Sequence, residues 1–227
     1  MWEFTIYGCY PMAVMFARLL ALAGFLLSSA ISAAKVGEFW LAAGSGLDSR
    51  GLVAWQAVTS APLASLDSAG PRLRVFLSQS KGDNSAAIEG GWSFGQHQTR
   101  GDVLVGLNIR QEPDRKRLSP VVSAGLDRMI GGGGISTLGM LRPAYGEVWA
   151  EFRPWLWLDE CWKVGVLAAS GGVPFAAGFR AGVFTSGYRI VLPGVRELFL
   201  GGELGFERDG HGEAFTPFGG INLGFGF

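Results

Sequence analysis

Residues 213–227 read EAFTPFGGINLGFGF, and this stretch decides the fold. Its apolar and aromatic residues fall on the odd positions, and small or polar residues fall mostly on the even positions. A two-residue period of this kind is typical of a β-strand. A globular domain rarely leaves so apolar a strand as a frayed terminus. In a closed membrane barrel the last strand pairs with the first, which removes the open sheet edge.

The composition favours strands over helices and excludes a nucleic-acid binder. The chain of 227 residues contains 36 Gly, 16 Phe and 8 Trp, and only 17% of its residues are charged. So much glycine beside so many aromatic residues disfavours helices and suits closely approaching, twisted strands. The 19 basic and 19 acidic side chains cancel, so no basic surface for nucleic acid is expected.

Residues 1–34 are interpreted as a cleaved signal peptide. A basic residue precedes the apolar run 19–27, and small residues follow up to Ala34. These are the n-region, the h-region and the cleavage site of an export signal. We place cleavage after Ala34, so that residues 35–227 form the mature domain. Cys161 is then the only cysteine, and no internal disulfide is expected.

The rest of the mature chain repeats the alternation of the last stretch. We count about twelve alternating segments, many about ten residues long, which is the pattern of an outer-membrane barrel. The segments near 37–45 and 135–141 are weak, so ten strands is the alternative count. The polar residues 111–118 and the glycine run 131–134 are interpreted as loops or turns.

The sequence therefore predicts an all-β protein, a closed antiparallel transmembrane β-barrel. The alternative is a soluble β-sandwich, whose strands also alternate. The apolar faces carry Phe, Trp, Leu and Val in nearly every segment, and Val53, Trp55 and Ala57 are assigned to one of them. The opposite faces mix glycine with charge and would make a poor soluble surface. The export signal provides the route to the bacterial outer membrane.

The inner faces of such a barrel would carry a set of charged side chains. The candidates are Glu89, Arg110, Glu147, Glu151, Arg153, Lys163, Arg180, Glu197, Glu203 and Glu207. We expect opposite charges in a narrow barrel to pair with one another and fill the lumen. The alternative is a polar tunnel for a sugar chain, in which Trp149 stacks on sugar rings and carboxylates accept hydroxyl hydrogen bonds. Trp155 and Trp157 are interpreted as part of an interfacial aromatic girdle.

The chain offers little for catalysis, and we expect it not to be an enzyme. Outer-membrane barrel hydrolases need a histidine with Ser or Asp in reach, and only His97 and His211 are present. Asp209 and His211 could form a dyad in the last hairpin loop, but a solvated Asp-Gly turn explains the same residues. No phosphate-binding loop or metal-ligand spacing occurs, so no cofactor or metal is expected.

Three segments carry a resemblance to a known family: LRVF at 73–76, GMLRPAYGEVW at 139–149 and GGELG at 201–205. In these segments, and in strand spacing over most of the mature chain, the protein resembles the cellulose biosynthesis protein BcsS family of small alphaproteobacterial outer-membrane barrels. The resemblance implies an accessory role in cellulose or exopolysaccharide biosynthesis or export in a Gram-negative bacterium. The implied partners are components of the cellulose synthase complex or the polysaccharide itself. A small general pore or structural barrel is the alternative function.

The last strand also has the form of an assembly signal. Ile221, Leu223, Phe225 and Phe227 share one face at the end of the chain. An apolar face that ends in phenylalanine looks like the C-terminal signal read by the barrel assembly machinery of the outer membrane. The expected partners are therefore that machinery and outer-membrane lipid.

Overall fold

The computed structural model describes most of the chain after residue 37. The described residues are 38–48, 51–61, 69–80, 83–96, 98–112, 115–172, 178–187, 190–192, 195–208 and 214–226. The interpreted signal peptide, His97, Asp209, His211 and Phe227 lie outside them. Within these ranges there is no helix whose length and hydropathy would carry it across a membrane.

Nearly all of the described chain is β-strand. The strands are β1 (Glu38–Asp48), β2 (Gly51–Ala61), β3 (Gly70–Ser80), β4 (Asp83–Gln96), β5 (Thr99–Gln111), β6 (Lys116–Ile130), β7 (Gly133–Arg142), β8 (Glu147–Trp157), β9 (Lys163–Gly172), β10 (Gly178–Ser186), β11 (Ile190–Leu192), β12 (Val195–Arg208) and β13 (Thr216–Gly226). A single-turn 3₁₀ helix, Pro143–Tyr145, connects β7 to β8.

The sheet closes into a barrel of twelve antiparallel strands. Each strand from β1 to β10 pairs with its neighbour in the chain, β10 pairs with β12, β12 with β13, and β13 with β1. The three-residue β11 pairs only with β12 and lies beside the ring. The prediction of a closed barrel with twelve strands is confirmed, and the alternative of ten is wrong. The two segments with weak alternation, near 37–45 and 135–141, belong to the complete strands β1 and β7.

The first and last strands form the seam of the barrel. Their register runs from Trp40 opposite Gly226 to Leu47 opposite Gly219. On β13 the alternation has the predicted sense, because Ile221 is 64% exposed on the outside and Phe218 is 4% exposed on the inside. The apolar side of the last stretch therefore faces outward.

The outer surface is an apolar belt, and the polar residues lie inside. Along β5 the outer belt presents Val103, Val105, Leu107 and Ile109, all exposed. Buried polar side chains occupy the opposite faces of β4, β5 and β6, namely Ser85, Glu89, Ser93, Asn108, Ser119 and Ser123. Each buried polar group needs a partner inside the barrel.

Trp55 faces the opposite way from the prediction. Its ring stacks on Phe76 at 6.4 Å between centroids, on the inner face of β3. A Cβ at the paired residue Gly44 would lie 2.6 Å from the indole nitrogen, so the ring occupies the space that this glycine leaves. Thr59, on the same face of β2, is buried. The assignment of Val53, Trp55 and Ala57 to the outer face was therefore wrong. Alternation shows which residues share a face of the strand, but it does not show which of the two faces points into the barrel.

Half of the polar loop predicted at 111–118 is strand. β5 continues to Gln111 and β6 begins at Lys116. Beyond β5, the amide of Glu112 donates to the carbonyl of Arg115 at 2.9 Å. The polar side chains extend the hairpin past the apolar belt, which is why the hydrophobic pattern stopped before the strands did.

Only the first half of the glycine run 131–134 is a turn. Gly131 and Gly132 turn the chain, and β7 already begins at Gly133. Gly131 has a φ of 58°, in the left-handed region that favours glycine. The prediction of a turn is correct for the first two residues and wrong for the last two.

Candidate functional site: the charged lumen

Among the described residues, charged side chains inside the barrel form three clusters, which we name after the strands that carry them. In the β3–β6 cluster, the Glu89 carboxylate is 3% exposed. It accepts hydrogen bonds from Arg74 Nε at 2.6 Å and from the Ser123 hydroxyl at 2.8 Å. Arg74 also donates to Ser123 at 2.6 Å, from three strands away along the wall. The long side chain can reach because the inner residue of β5 paired with Glu89 is Gly106.

A second ion pair completes the β3–β6 cluster. The Arg72 guanidinium donates to the Asp102 carboxylate from β3 to β5. The inner residue of β4 that is paired with Arg72 is Gly91, which again leaves the path clear. Small residues between charged ones thus allow ion pairs to span strands that are not neighbours.

The β5–β8 cluster lies where β7 meets the 3₁₀ turn. Glu147 accepts a hydrogen bond from Arg142 at 3.1 Å and lies 3.6 Å from Arg110. The buried Tyr145 hydroxyl donates to the carbonyl of Arg117 at 2.9 Å. Burial raises the pKa of the Tyr145 phenol above its usual value, so the group remains a protonated donor at neutral pH. The turn is thereby fixed to the inner wall.

The β8–β12 cluster is a chain of alternating charges. Arg153 donates to Glu151 at 2.5 Å and to Glu203 at 3.0 Å. Arg180 donates to the other oxygen of Glu203 at 3.0 Å and lies 3.9 Å from Glu207. The two guanidinium groups also stand over aromatic rings, at 5.3 and 3.6 Å from the ring centroids of Phe184 and Phe218. Cation–π contacts of this kind help to hold a desolvated cation.

The structure brings most of the predicted lumen charges into these clusters. Those in ion pairs are Glu89, Arg110, Glu147, Glu151, Arg153, Arg180, Glu203 and Glu207. Glu197 lies in β12, but its side chain is outside the described residues. The expectation that inner charges pair with one another agrees with these contacts.

The list of sequence candidates missed several inner charges. Arg72, Arg74, Asp102 and Arg142 form ion pairs in the clusters. The alternation could have found the first three, because they stand between apolar residues such as Leu73 and Val103 that face outward. A charged residue that alternates with outward-facing apolar residues along a strand was a sufficient sequence signal for a lumen charge.

Trp155 belongs to the interior and not to an aromatic girdle. It is 8% exposed and packs in a cluster with Leu167 and Phe184. A Cβ at Gly134 would lie 2.5 Å from its ring, so the indole fills the space above that glycine. The girdle interpretation was wrong for Trp155, because its parity on β8 is that of the inward Arg153.

The two other tryptophans of β8 share this inward parity. Trp157 is paired with Lys163, which lines the lumen, and its ring lies edge-on to Trp155 at 5.2 Å. It is 41% exposed because it ends the strand, so the girdle interpretation was wrong for Trp157 as well. Trp149 is partly buried against the interior cluster. Its stacking on a sugar ring stays a prediction.

A small cavity opens in the lumen beside the β8–β12 cluster. Its volume is about 100 Å³. It is lined by Ser136, Arg153, Lys163, Phe184, Thr185, Ser186, Gly202 and Asn222. These residues come from β7 to β13, and two of them are cations. In the part of the chain with described coordinates, no group of three acidic, histidine or cysteine side chains could hold a metal ion.

Comparison with known proteins gives only distant likenesses of form. No protein-family model and no curated protein matches the chain. The outer membrane protein OpdK from Pseudomonas aeruginosa is 9% identical, with a TM-score of 0.42 over 81% of this chain. The chain spans 61% of the length of OpdK.

Two other solved structures match over nearly their full length. The NanC porin is 8% identical, with a TM-score of 0.45 over 82% of this chain and 98% of the porin. The translocator domain of the autotransporter NalP from Neisseria meningitidis is 10% identical, with a TM-score of 0.44 over 96% of this chain and 97% of that domain. At these identities and TM-scores the likeness assigns no activity to this chain.

Proposed function

We propose that the protein is a non-enzymatic barrel of the bacterial outer membrane, exported by its signal peptide. The support is the distribution of polarity across the wall. Exposed apolar side chains cover the outer face of strand after strand, while the ionised groups lie inside. Lipid requires such an apolar belt, and a closed ring leaves no unpaired strand edge to face it.

Within that setting we propose an accessory role in cellulose or exopolysaccharide biosynthesis or export. The resemblance to the BcsS family suggests the process. The observation that carries the proposal is the pairing of the lumen charges, because groups committed to one another are suited to a structural or docking barrel. Asp209 and His211, the alternative hydrolase pair, lie outside the described residues.

Deletion of the gene is expected to reduce secreted cellulose and leave general outer-membrane permeability intact. Cellulose would be measured by dye binding and by glucose release with cellulase, and permeability by the uptake of a small antibiotic. The control is complementation with the intact gene. Unchanged polymer output in the deletion strain would contradict the accessory role.

The purified barrel is expected to conduct poorly in planar lipid bilayers. The ion pairs of the β8–β12 cluster project into the lumen from β8, β10 and β12 and oppose the free passage of ions. The double variant Arg153→Ser/Glu203→Ser removes both side chains of one pair from the lumen, and its conductance is expected to rise. Large stable current steps from the unaltered protein would favour a general pore instead.

A further inference from the structure

We propose that the cavity beside the β8–β12 cluster is a binding site for the carboxylate group of a small sugar acid. This inference does not depend on the proposed role in exopolysaccharide production. It would stand if a deletion strain secreted normal amounts of cellulose, because it rests on the lining residues alone.

The floor of the cavity is one row of inner residues across four strands. Lys163 on β9 is paired with Ser186 on β10, Ser186 with Gly201 on β12, and Gly201 with Asn222 on β13. A Cβ at Gly201 would lie 2.3 Å from the side-chain oxygen of Asn222. The Asn222 amide therefore lies over this glycine and extends toward Ser186. An ammonium, a hydroxyl and an amide thus line one side of the cavity.

Lys163 differs from the arginines that carry the lumen clusters. Across the residues with described side chains, its ammonium makes no ion pair; it stands over the Trp155 ring, 5.1 Å from the centroid. The acid whose charge reaches it is Asp127 on β6, from beyond ion-pair distance. A half-buried cation without a direct counter-charge is a favourable place for an anion from solution.

Arg153 on β8 adds donors to the same lining. A guanidinium carries five N–H groups, and Glu151 and Glu203 accept hydrogen bonds from two of its nitrogens. Ser136 on β7 contributes a hydroxyl to the same lining, whereas the Thr185 hydroxyl donates to the carbonyl of Lys163 at 3.1 Å. No carboxylate is part of the lining. The cavity thus presents two cations and several neutral polar groups to a ligand.

This combination selects the chemistry of the ligand. A carboxylate can accept hydrogen bonds from an ammonium and a guanidinium at once, and such charge-assisted bonds are the strong ones. A volume of about 100 Å³ holds a carboxylate and little more, so the group enters as one end of a larger molecule. The hydroxyls, the amide and the Phe184 ring suit the hydroxyl-rich, flat faces of a sugar. A neutral sugar would leave Lys163 without a counter-charge.

The test is calorimetric titration of the full mature barrel in detergent micelles with sodium glucuronate, and in parallel with glucose. We expect glucuronate to bind at least about tenfold more tightly than glucose, as the loss of one charge-assisted hydrogen bond implies. Equal affinities for the two sugars, or no heat from glucuronate beyond that from equal sodium chloride, would overturn the proposal.

Two variants of Lys163 test whether glucuronate binds in this cavity. Lys163→Gln is expected to weaken glucuronate binding about tenfold, and Lys163→Arg, which keeps the charge, to retain most of it. The matched control is Lys116→Gln, which removes the same charge from an exposed residue of β6. Heat-modifiable migration in gels verifies that each variant is folded. If Lys163→Gln binds as the unaltered protein does, or if Lys116→Gln weakens binding equally, the site is not at this cavity.

Discussion

Glu89→Gln is expected to lower the free energy of unfolding of the barrel by about 3 kcal/mol. The Glu89 carboxylate is 3% exposed and is the counter-charge of Arg74, 2.6 Å away. The substitution keeps the size of the side chain but leaves the guanidinium without a counter-charge in a desolvated wall. Breaking a buried pair from one side costs about 3–5 kcal/mol. We take the lower bound because 20% of the Arg74 side chain stays exposed.

The measurement is urea unfolding in lipid vesicles, followed by tryptophan fluorescence and extrapolated linearly to zero denaturant. The matched control is Glu112→Gln, which breaks the surface pair with Arg115, a side chain that is 57% exposed. Exposed pairs contribute about 0–1 kcal/mol, so this variant should remain close to the unaltered protein.

A double substitution separates charge from packing in the same cluster. Arg74→Met/Glu89→Met removes both partners of the pair and should recover most of the lost stability, because apolar replacements of a buried pair are often neutral. Equal losses for Glu89→Gln and Glu112→Gln would mean that water solvates the β3–β6 cluster freely. The lumen would then be an open channel at that level.

Gly91→Ala is expected to prevent assembly of the barrel. A Cβ at Gly91 would lie 2.0 Å from the carbonyl oxygen of Val103 and 2.9 Å from the Cα of Leu104. Both atoms belong to the backbone of β5, so no side-chain rotation can relieve the clash. β4 and β5 would have to separate where Gly91 is paired with Leu104.

The adjacent residue provides a matched control for this clash. A Cβ at Gly90, on the opposite face of β4, would lie 4.0 Å from its nearest neighbour, the carbonyl oxygen of Arg72. Gly90→Ala should therefore assemble normally and improve the local preference for strand. The assay is the amount of heat-modifiable folded protein in the outer membrane of cells that express each variant. If Gly91→Ala and Gly90→Ala assemble equally well, the close approach of β4 and β5 is not required.

The fold was predictable because every strand of a membrane barrel alternates between outward apolar residues and inward small or polar residues. The alternation that places Ile221 outside and Phe218 inside also appears in the other strands, so a local pattern gave the strand count. The rule failed at Trp55, whose segment has few charges to mark its inner face. At Trp155 the alternation itself places the ring inside, and Gly134 on the neighbouring strand makes room for it.

The partners within the lumen were not predictable from the sequence. Arg153 and Glu203 are 50 residues apart, and their pairing depends on the packing of β9 and β10 between their strands. Lys163 carries the same sequence signal as any other charged residue with inward parity. What distinguishes it is the arrangement of acids around it, which exists only after the barrel has closed.

The seam has a consequence for the time course of biogenesis. The residues that meet across it, such as Leu41 and Phe225, are separated by nearly the whole described chain. Contacts between distant residues form slowly, so β1 must wait with an open edge until β13 is available. An open strand edge in a chain with many apolar side chains is prone to aggregate. The topology therefore leaves the first strand open to aggregation until the last strand is available to pair with it.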